Sequence, residues 1–157
     1  MSIEDDITFL ERIPLLGLLG RAALRVLAIG SDTRRIGSGE VLFYAGDVAD
    51  AGFAVQEGSF SLVPDTTHGE GEEIVIDPGV LLGELALLTE TVRPATATAR
   101  EPSIVIRIPR ALFLKMLDGY PDAARRLREH LMGRSDQWAR DIAHVRAALA
   151  PPEEKEP

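Results

Sequence analysis

The sequence predicts a mainly β domain with helices at both ends, and three observations support this fold class. The chain of 157 residues, 45% hydrophobic and 27% charged, has the size and composition of one ordinary globular domain. Apolar residues recur at helical spacing near both ends of the chain. Between 32 and 108, short runs of β-forming residues alternate with closely spaced turn signals, which is typical of a compact antiparallel sandwich.

The segment 7–29 predicts one or two short N-terminal helices with a break between Pro14 and Gly20. Five apolar residues of this segment can share one helical face: Leu16, Leu19, Ala23, Val26 and Leu27. The apolar stretch 13–29 is too short for a membrane span and carries Arg21 and Arg25. We therefore expect packed helices and no membrane partner.

Short strands are expected from Asp32 onward. Three turn signals separate the first of them: Gly37-Ser38-Gly39, Gly46-Asp47 and Glu57-Gly58. The runs Phe60–Val63 and Glu73–Ile76 flank the polar stretch Asp65–Gly71, which predicts two strands joined by a hairpin loop. Pro78-Gly79 is expected to end the second strand.

The next segment predicts a short helix followed by two further strands. Leu81–Leu88 is apolar except for Gly83 and Glu84 and is long enough for about two helical turns, so we expect a short helix that starts near Gly83. The runs Ala95–Ala99 and Ser103–Ile108 are then expected to complete the sheet structure.

The helical period returns in 109–149. A first short helix is expected around Leu112–Leu117, ending at Gly119-Tyr120-Pro121. A longer helix should follow, because a stripe of large apolar residues continues at helical spacing: Leu127, Leu131, Trp138, Ile142, Val145 and Leu149. Such a stripe packs against its own domain or a partner helix, so we expect a homodimer through this helix. The charged, Pro-rich 151–157 is expected to be a disordered tail.

Composition argues against several classes of function. The net charge of -8 disfavours direct nucleic-acid binding. The chain has no cysteine, and His68, His130 and His144 lack ligand spacing, so neither a metal site nor a cofactor is predicted. No nucleophile or paired acid and base stands at a recognisable spacing, so we expect no catalytic residues and no enzyme. The acidic N-terminus is unlike a secretory signal and predicts a cytoplasmic protein.

The stretch around Gly83 and Arg93 is the candidate site. A glycine at a helix start lets backbone N–H groups approach an anion, and the fork of Arg93 can give a phosphate two parallel hydrogen bonds. Glu84 beside a phosphate makes sense if the ligand also presents a hydroxyl donor, such as a ribose 2′-OH.

These residues resemble the phosphate-binding cassette of cyclic nucleotide-binding domains, as found in catabolite-activator-type regulators, protein kinase regulatory subunits and gated channels. The similarity lies in Gly83-Glu84-Leu85-Ala86-Leu87-Leu88, then Arg93, then Ala95-Thr96. Upstream, the family's strand-and-turn signature is matched by Gly37-x-Gly39-Glu40, Phe43-x-x-Gly46-Asp47-x-x-Asp50 and Phe53-x-Val55-x-x-Gly58. The resemblance covers roughly 13–149 and implies one cyclic nucleotide-binding domain over 1–150. Its core would be a double-stranded β-helix, a jelly-roll-like β-roll, at 32–108, with 81–96 as the cassette segment.

The resemblance also implies roles for individual residues. Backbone N–H groups near Glu84, Leu85 and Ala86 would meet the cyclic phosphate of cAMP or cGMP, Arg93 would pair its charge, and Glu84 would accept the ribose 2′-OH. The long C-terminal helix would cover the base and place Arg134 and Trp138 near it, and Trp138 could stack on a purine.

The residues after the arginine depart from the family pattern. Family members often have Pro-Arg-Ala where this chain has Val92-Arg93-Pro94, and the residue after the arginine commonly donates its N–H to the phosphate. Proline has no N–H, so we expect Pro94 to cost about 1.5–3 kcal/mol of binding, with Ala95 next in the site.

The resulting hypothesis is a cytoplasmic cyclic-nucleotide sensor for signal transduction. It would lack a DNA-binding domain, move its C-terminal helix on ligand binding, and act on an unknown downstream protein. The alternative is a degenerate fold that no longer binds nucleotide and works as a dimeric interaction domain. Single residues also have structural readings: Glu84 as a first-turn carboxylate, Arg93 in an ion pair with Glu84 or Glu90, and Trp138 in the core or a dimer seam.

Overall fold

The computed structural model describes residues 2–64 and 72–133. These two ranges contain four α-helices: α1 Ile3–Glu11, α2 Arg21–Gly30, α3 Arg110–Gly119 and α4 Pro121–Gly133. Between α2 and α3 the described residues form ten strands: β1 Asp32–Ile36, β2 Val41–Phe43, β3 Val48–Ala49, β4 Ala51–Glu57, β5 Phe60–Pro64, β6 Ile74–Ile76, β7 Leu81–Leu82, β8 Thr91–Val92, β9 Ala95–Ala99 and β10 Ser103–Pro109. Two 3-10 helices, Leu16–Leu18 and Glu84–Leu87, complete the described elements.

The strands form two four-stranded antiparallel sheets and one small ribbon. The sheet orders are β1-β10-β4-β7 and β2-β9-β5-β6, and β3 pairs with β8. Sequence neighbours such as β4 and β5 lie in different sheets, so the chain passes back and forth between the two layers. This arrangement confirms the predicted β-roll. The expected hairpin is also present, because Phe60 and Leu62 of β5 face Ile76 and Ile74 of β6.

Two hydrophobic clusters stabilise the fold. The first lies within the roll, and its buried members come from both sheets: Phe43, Phe53, Val55, Phe60, Leu82, Ala97, Ala99 and Val105. The second packs the helices against the β4-β10 face through Ala54, Ile106 and Ile108. Leu87 of the cassette segment belongs to this second cluster and is fully buried. The cassette segment is therefore packed against the helical layer.

The N-terminal helices begin earlier than predicted. Helix α1 starts at Ile3 because Ser2 and Asp5 form a capping box: the Ser2 hydroxyl accepts from the Asp5 N–H, and the Asp5 carboxylate accepts from the Ser2 N–H. The break between Pro14 and Gly20 is confirmed, and it contains the 3-10 helix Leu16–Leu18. Of the predicted apolar face, Val26 is only partly buried, while Leu16, Leu19, Ala23 and Leu27 are buried.

The expected short helix that starts near Gly83 is the 3-10 helix Glu84–Leu87, with Gly83 as its N-cap. Leu81 and Leu82, which precede it, pair with Ala54 and Phe53 as strand β7. The change occurs at Gly83, whose φ of 82° lies in the left-handed region and ends the strand before the 3-10 helix begins. So short a helix carries little macrodipole, which removes the dipole argument for an anion site here.

The C-terminal helices pack against the N-terminal ones. Arg126 of α4 donates to the carbonyls of Leu18 and Leu19 at 2.7 and 2.9 Å, and Leu127 is buried in the helical cluster. Leu127 and Leu131 of the predicted stripe therefore pack within their own domain. The predicted helix beyond Gly133, with Arg134 and the stripe residues Trp138, Ile142, Val145 and Leu149, lies outside the described residues, as do the 65–71 loop and the 151–157 tail.

Candidate functional site

Arg93 is held in place by the turn at Gly46-Asp47. From the sequence, this turn was expected only to reverse the chain. The Gly46 N–H donates to the Arg93 carbonyl, and the Arg93 N–H donates to the Asp47 carbonyl, both at 2.8 Å. The adjacent ribbon pairs Val48 with Val92. Both backbone polar groups of Arg93 are therefore engaged, so the direction in which its side chain leaves the backbone is fixed.

The cassette residue Thr96 supports the same turn. Its hydroxyl accepts a hydrogen bond from the Ala45 N–H at 2.9 Å. The Asp47 carboxylate accepts from the Tyr44 N–H at 3.0 Å and closes the turn from the other side. The upstream motif and the cassette segment, which are about 50 residues apart in sequence, thus form one local structure.

The Arg93 side chain is buried, with 5% of the residue exposed. One N–H of its Nη2 donates to the Ala51 carbonyl at 2.7 Å. Its guanidinium carbon lies 4.3 Å from the ring centroid of Phe43 and 5.3 Å from that of Phe53, within the range of cation–π contacts. The cation is therefore surrounded mainly by carbon.

No carboxylate of the described residues forms an ion pair with Arg93. The alternative structural reading of Arg93, an ion pair with Glu84 or Glu90, is thus not found in these ranges. Burial lowers the pKa of Arg93 below its usual value, while Asp50 and then Asp47 act in the opposite direction from a distance. An arginine nevertheless remains protonated near neutral pH, so a positive charge is buried here.

Gly83 leaves the space that the Arg93 side chain occupies. A Cβ added at Gly83 would collide with Nη1 of Arg93 and would lie 3.2 Å from the Ala51 carbonyl oxygen. Its φ of 82° is also a conformation that other residues adopt only at a cost of roughly 1–2 kcal/mol. Both the conformation and the space therefore require glycine at this position.

The cassette segment places Glu84 at the edge of this site. Glu84 is half-buried, and its carboxylate makes no hydrogen bond or ion pair with another residue of the described ranges. The Ala86 N–H, expected to face a phosphate, donates to the Gly83 carbonyl at 2.9 Å and is engaged in the turn. This leaves the N–H groups of Glu84 and Leu85 as the candidates for an anion.

A cavity of about 390 Å³ opens beside Arg93, within the usual range of small-molecule sites. Its largely apolar wall is lined by Phe43, Ala49, Leu62, Leu82, Gly83, Glu84, Leu85, Ala86, Thr91, Val92, Arg93, Pro94 and Ala95. Among them are all the predicted site residues that the structure describes: Gly83, Glu84, Leu85, Ala86, Arg93, Pro94 and Ala95. Pro94 is exposed at this wall and offers no N–H. Arg134 and Trp138, which were expected to cover the base, lie outside the described residues.

Sequence reasoning missed Arg110, which ties the cassette segment to α3. Its side-chain Nη1 donates to the carbonyls of Ala49, Ala86 and Thr89 at 3.0 to 3.2 Å. Its backbone N–H donates to the Asp50 carbonyl at 2.8 Å. Because α3 begins at Arg110, one residue joins the cavity wall to the C-terminal helices. Its place between the predicted strand Ser103–Ile108 and the predicted helix around Leu112–Leu117 was the available signal.

No helix among residues 2–64 and 72–133 is both long and apolar enough to pass through a bilayer. Within the same ranges, no cluster of three or more histidine or acidic residues has an arrangement that could hold a metal ion.

The family described as cyclic nucleotide-binding domain matches residues 33–120. The cAMP-dependent protein kinase regulatory subunit of Schizosaccharomyces pombe is 25% identical over 137 residues, which are 87% of this chain and 32% of that protein. The lysophospholipase nte1 of Neurospora crassa is 30% identical over 113 residues, 71% of this chain and 7% of that protein. The chain thus spans a third or less of the length of these curated relatives.

Solved structures of similar proteins match most of both chains. A cyclic nucleotide-binding-like protein from Brucella abortus is 33% identical with a TM-score of 0.65, covering 73% of this chain and 98% of its own. The N-terminal domain of a transcriptional regulator from Streptomyces coelicolor is 26% identical with a TM-score of 0.74, covering 82% and 93%. These matches agree with the β-roll described above.

Proposed function

Because the chain belongs to the cyclic nucleotide-binding domain family, we propose that it binds cAMP or cGMP in the cavity beside Arg93 and acts as a regulatory module. The observation that carries the proposal is the guanidinium of Arg93, which is buried without a carboxylate partner among the described residues. Burying an unpaired charge is costly, and an anionic ligand in the cavity offsets that cost.

In the proposed complex, the cyclic phosphate faces Arg93. The N–H groups of Glu84 and Leu85 supply further donors, while Ala86 contributes only its methyl group to the wall. The Glu84 carboxylate, which has no partner in the described ranges, accepts the ribose 2′-OH. Ala95 and Pro94 line the side on which the base leaves the phosphate. Arg134 and Trp138 cover the base from the C-terminal helix.

The choice of ligand and the regulatory role rest on the comparisons and on Arg110. The regulatory subunit from Schizosaccharomyces pombe is named for cAMP, which supports a cyclic nucleotide as the ligand here. A ligand that moves the cassette segment displaces the Ala86 and Thr89 carbonyls, both of which Arg110 binds from the start of α3. The ligand can shift the equilibrium between two positions of the C-terminal helix only to the extent that it binds them with different affinity. A downstream protein in the cytoplasm would respond to this shift.

Calorimetric titration of the purified chain with cAMP and with cGMP tests this proposal. We expect saturable binding of at least one nucleotide and a loss of about 100-fold or more in Arg93→Leu, since two charge-assisted hydrogen bonds of about 1.5–3 kcal/mol each are removed. Arg100→Leu is the matched control, because it removes the same charge from the exposed turn at the other end of β9. Equal affinity of Arg93→Leu and wild type would overturn the site.

Pro94 favours a second candidate, a dimeric interaction domain without nucleotide binding. Proline removes a backbone donor at the cavity wall, which weakens any phosphate site. This candidate predicts no rise in the thermal midpoint with millimolar cAMP or cGMP, whereas a ligand at 100 times its Kd adds about 2.7 kcal/mol to stability. It also predicts a dimer by light scattering.

A further inference from the structure

We propose that Phe43 and Phe53 are positioning residues that hold the Arg93 guanidinium ready for the ligand. This inference rests on the proposed function, because it assigns the two rings a role in that same site. We call these two phenyl rings the aromatic platform. A carboxylate is the ordinary partner of a buried arginine, and here the platform stands in its place.

The platform holds the guanidinium within cation–π distance of both rings. The two ring centroids lie 5.9 Å apart with planes tilted by 32°, and the guanidinium carbon is within 5.3 Å of both centroids. The rings themselves are buried, with 9% of Phe43 and 5% of Phe53 exposed. In so dry a setting the attraction between a cation and the ring quadrupole is at its strongest.

The platform leaves the donors of Arg93 available. A carboxylate would accept two of the five guanidinium N–H groups and neutralise the charge. A ring face attracts the charge without accepting an N–H in the guanidinium plane. Of the five donors of Arg93, one is used by the Ala51 carbonyl, which sets the rotation of the fork. The arginine is thereby fixed in direction and still able to bind an anion.

The two rings differ in one way that makes the inference testable. Phe43 lines the cavity and is in reach of a ligand, while Phe53 is absent from the cavity wall. An effect of Phe53 on ligand affinity must therefore pass through the structure around Arg93. Phe60 is the matched control, since it is a fully buried phenylalanine of the same cluster without a contact to the guanidinium.

Proton–nitrogen NMR of the unliganded protein tests the platform without any nucleotide. The Nε–Hε resonance of Arg93, assigned by its loss in Arg93→Leu, should be shifted by the ring currents and exchange slowly with water. We expect Phe53→Leu and Phe43→Leu to move this resonance toward its solvent-exposed position and to accelerate the exchange. Phe60→Leu should leave it unchanged. An unchanged Arg93 resonance in both platform variants would overturn the inference.

The titration with cAMP supplies a second readout. Phe53→Leu should weaken binding about tenfold, the effect of losing one buried cation–π contact, and Phe60→Leu should leave the affinity within about twofold of wild type. Phe43→Tyr keeps the ring and should restore the affinity that Phe43→Leu loses. Should the wild type bind no nucleotide, the proposed function fails while the NMR result still decides the platform. Wild-type binding that Phe53→Leu leaves intact overturns the platform alone.

Discussion

The two ends of the β-roll each bury a polar side chain against a glycine with positive φ, and they differ in what that side chain binds. At one end Ser103 packs over Gly58, and at the other Arg93 packs over Gly83. Strands β4 and β10 connect the two ends, since Glu57 pairs with Ile104 and Ala51 pairs with Pro109. Both glycines have a φ in the left-handed region, 87° at Gly58 and 82° at Gly83.

The Ser103 end is closed by protein groups. The Ser103 hydroxyl donates to the Glu101 carbonyl at 2.8 Å and accepts from the Ser59 N–H at 3.2 Å. The Ser59 hydroxyl in turn donates to the Glu101 carboxylate at 2.7 Å. At the Arg93 end, one carbonyl and two phenyl rings face a full positive charge. Burial alone does not mark a ligand site, since Ser103 is buried as well; the uncompensated charge is why we propose the ligand site at the Arg93 end.

The largest expected effects on stability and on ligand binding come from replacing the two glycines with alanine. Gly58→Ala should destabilise the fold by at least about 2 kcal/mol, because its Cβ would lie 2.6 and 2.7 Å from Cβ and Cα of Ser103 in a left-handed conformation. Gly83→Ala should destabilise it less, since the clash is with the end of the flexible Arg93 side chain, and should abolish nucleotide binding by displacing that side chain.

Urea unfolding and nucleotide titration of both glycine variants check this prediction. A folded Gly58→Ala protein should retain the ligand affinity of the wild type. If Gly83→Ala binds nucleotide as well as wild type does, the Arg93 side chain does not need the space that Gly83 leaves. The proposed difference between the two ends would then be wrong.

Replacing the two polar side chains, Ser103 and Arg93, should have smaller effects on the free energy of unfolding, and the two effects should differ in direction. Ser103→Ala should lose about 1–3 kcal/mol of unfolding free energy, because it leaves the buried Ser59 N–H without its acceptor. Arg93→Leu should leave the unliganded protein unchanged or raise its stability by up to about 2 kcal/mol, because it removes a buried charge that lacks a carboxylate partner. Urea unfolding without ligand measures both, and a marked loss in Arg93→Leu would show that the arginine has a structural role.

The mainly β class with flanking helices was predictable from local signals, because turn glycines such as Gly58 and the helical spacing before β1 are read from neighbouring residues. The β-roll was implied by the family resemblance, and the sheet arrangement confirms it. The short helix predicted to start near Gly83 is present as the 3-10 helix Glu84–Leu87, but the apolar run Leu81–Leu88 does not reveal that Leu81 and Leu82 pair with β4. Tertiary pairing overrode the local pattern there.

The candidate site was predictable only in part, for a similar reason. Gly83, Glu84 and Arg93 stand close together in sequence and were identified. Phe53 and Ala51 contact Arg93 across 40 or more residues, and no local period predicts that contact. The turn at Gly46 was predicted as a turn, but its two hydrogen bonds to Arg93 follow from the fold alone.

A crystal structure of the protein grown with cAMP measures the central claim most directly, through the distance from the Arg93 guanidinium nitrogens to the nearest phosphate oxygens. The account predicts about 2.7–2.9 Å, with the hydrogen bond to the Ala51 carbonyl retained and the Ser103 end unchanged. A nucleotide bound with its phosphate away from Arg93, or an Arg93 that turns to pair with a carboxylate of the protein, would contradict it.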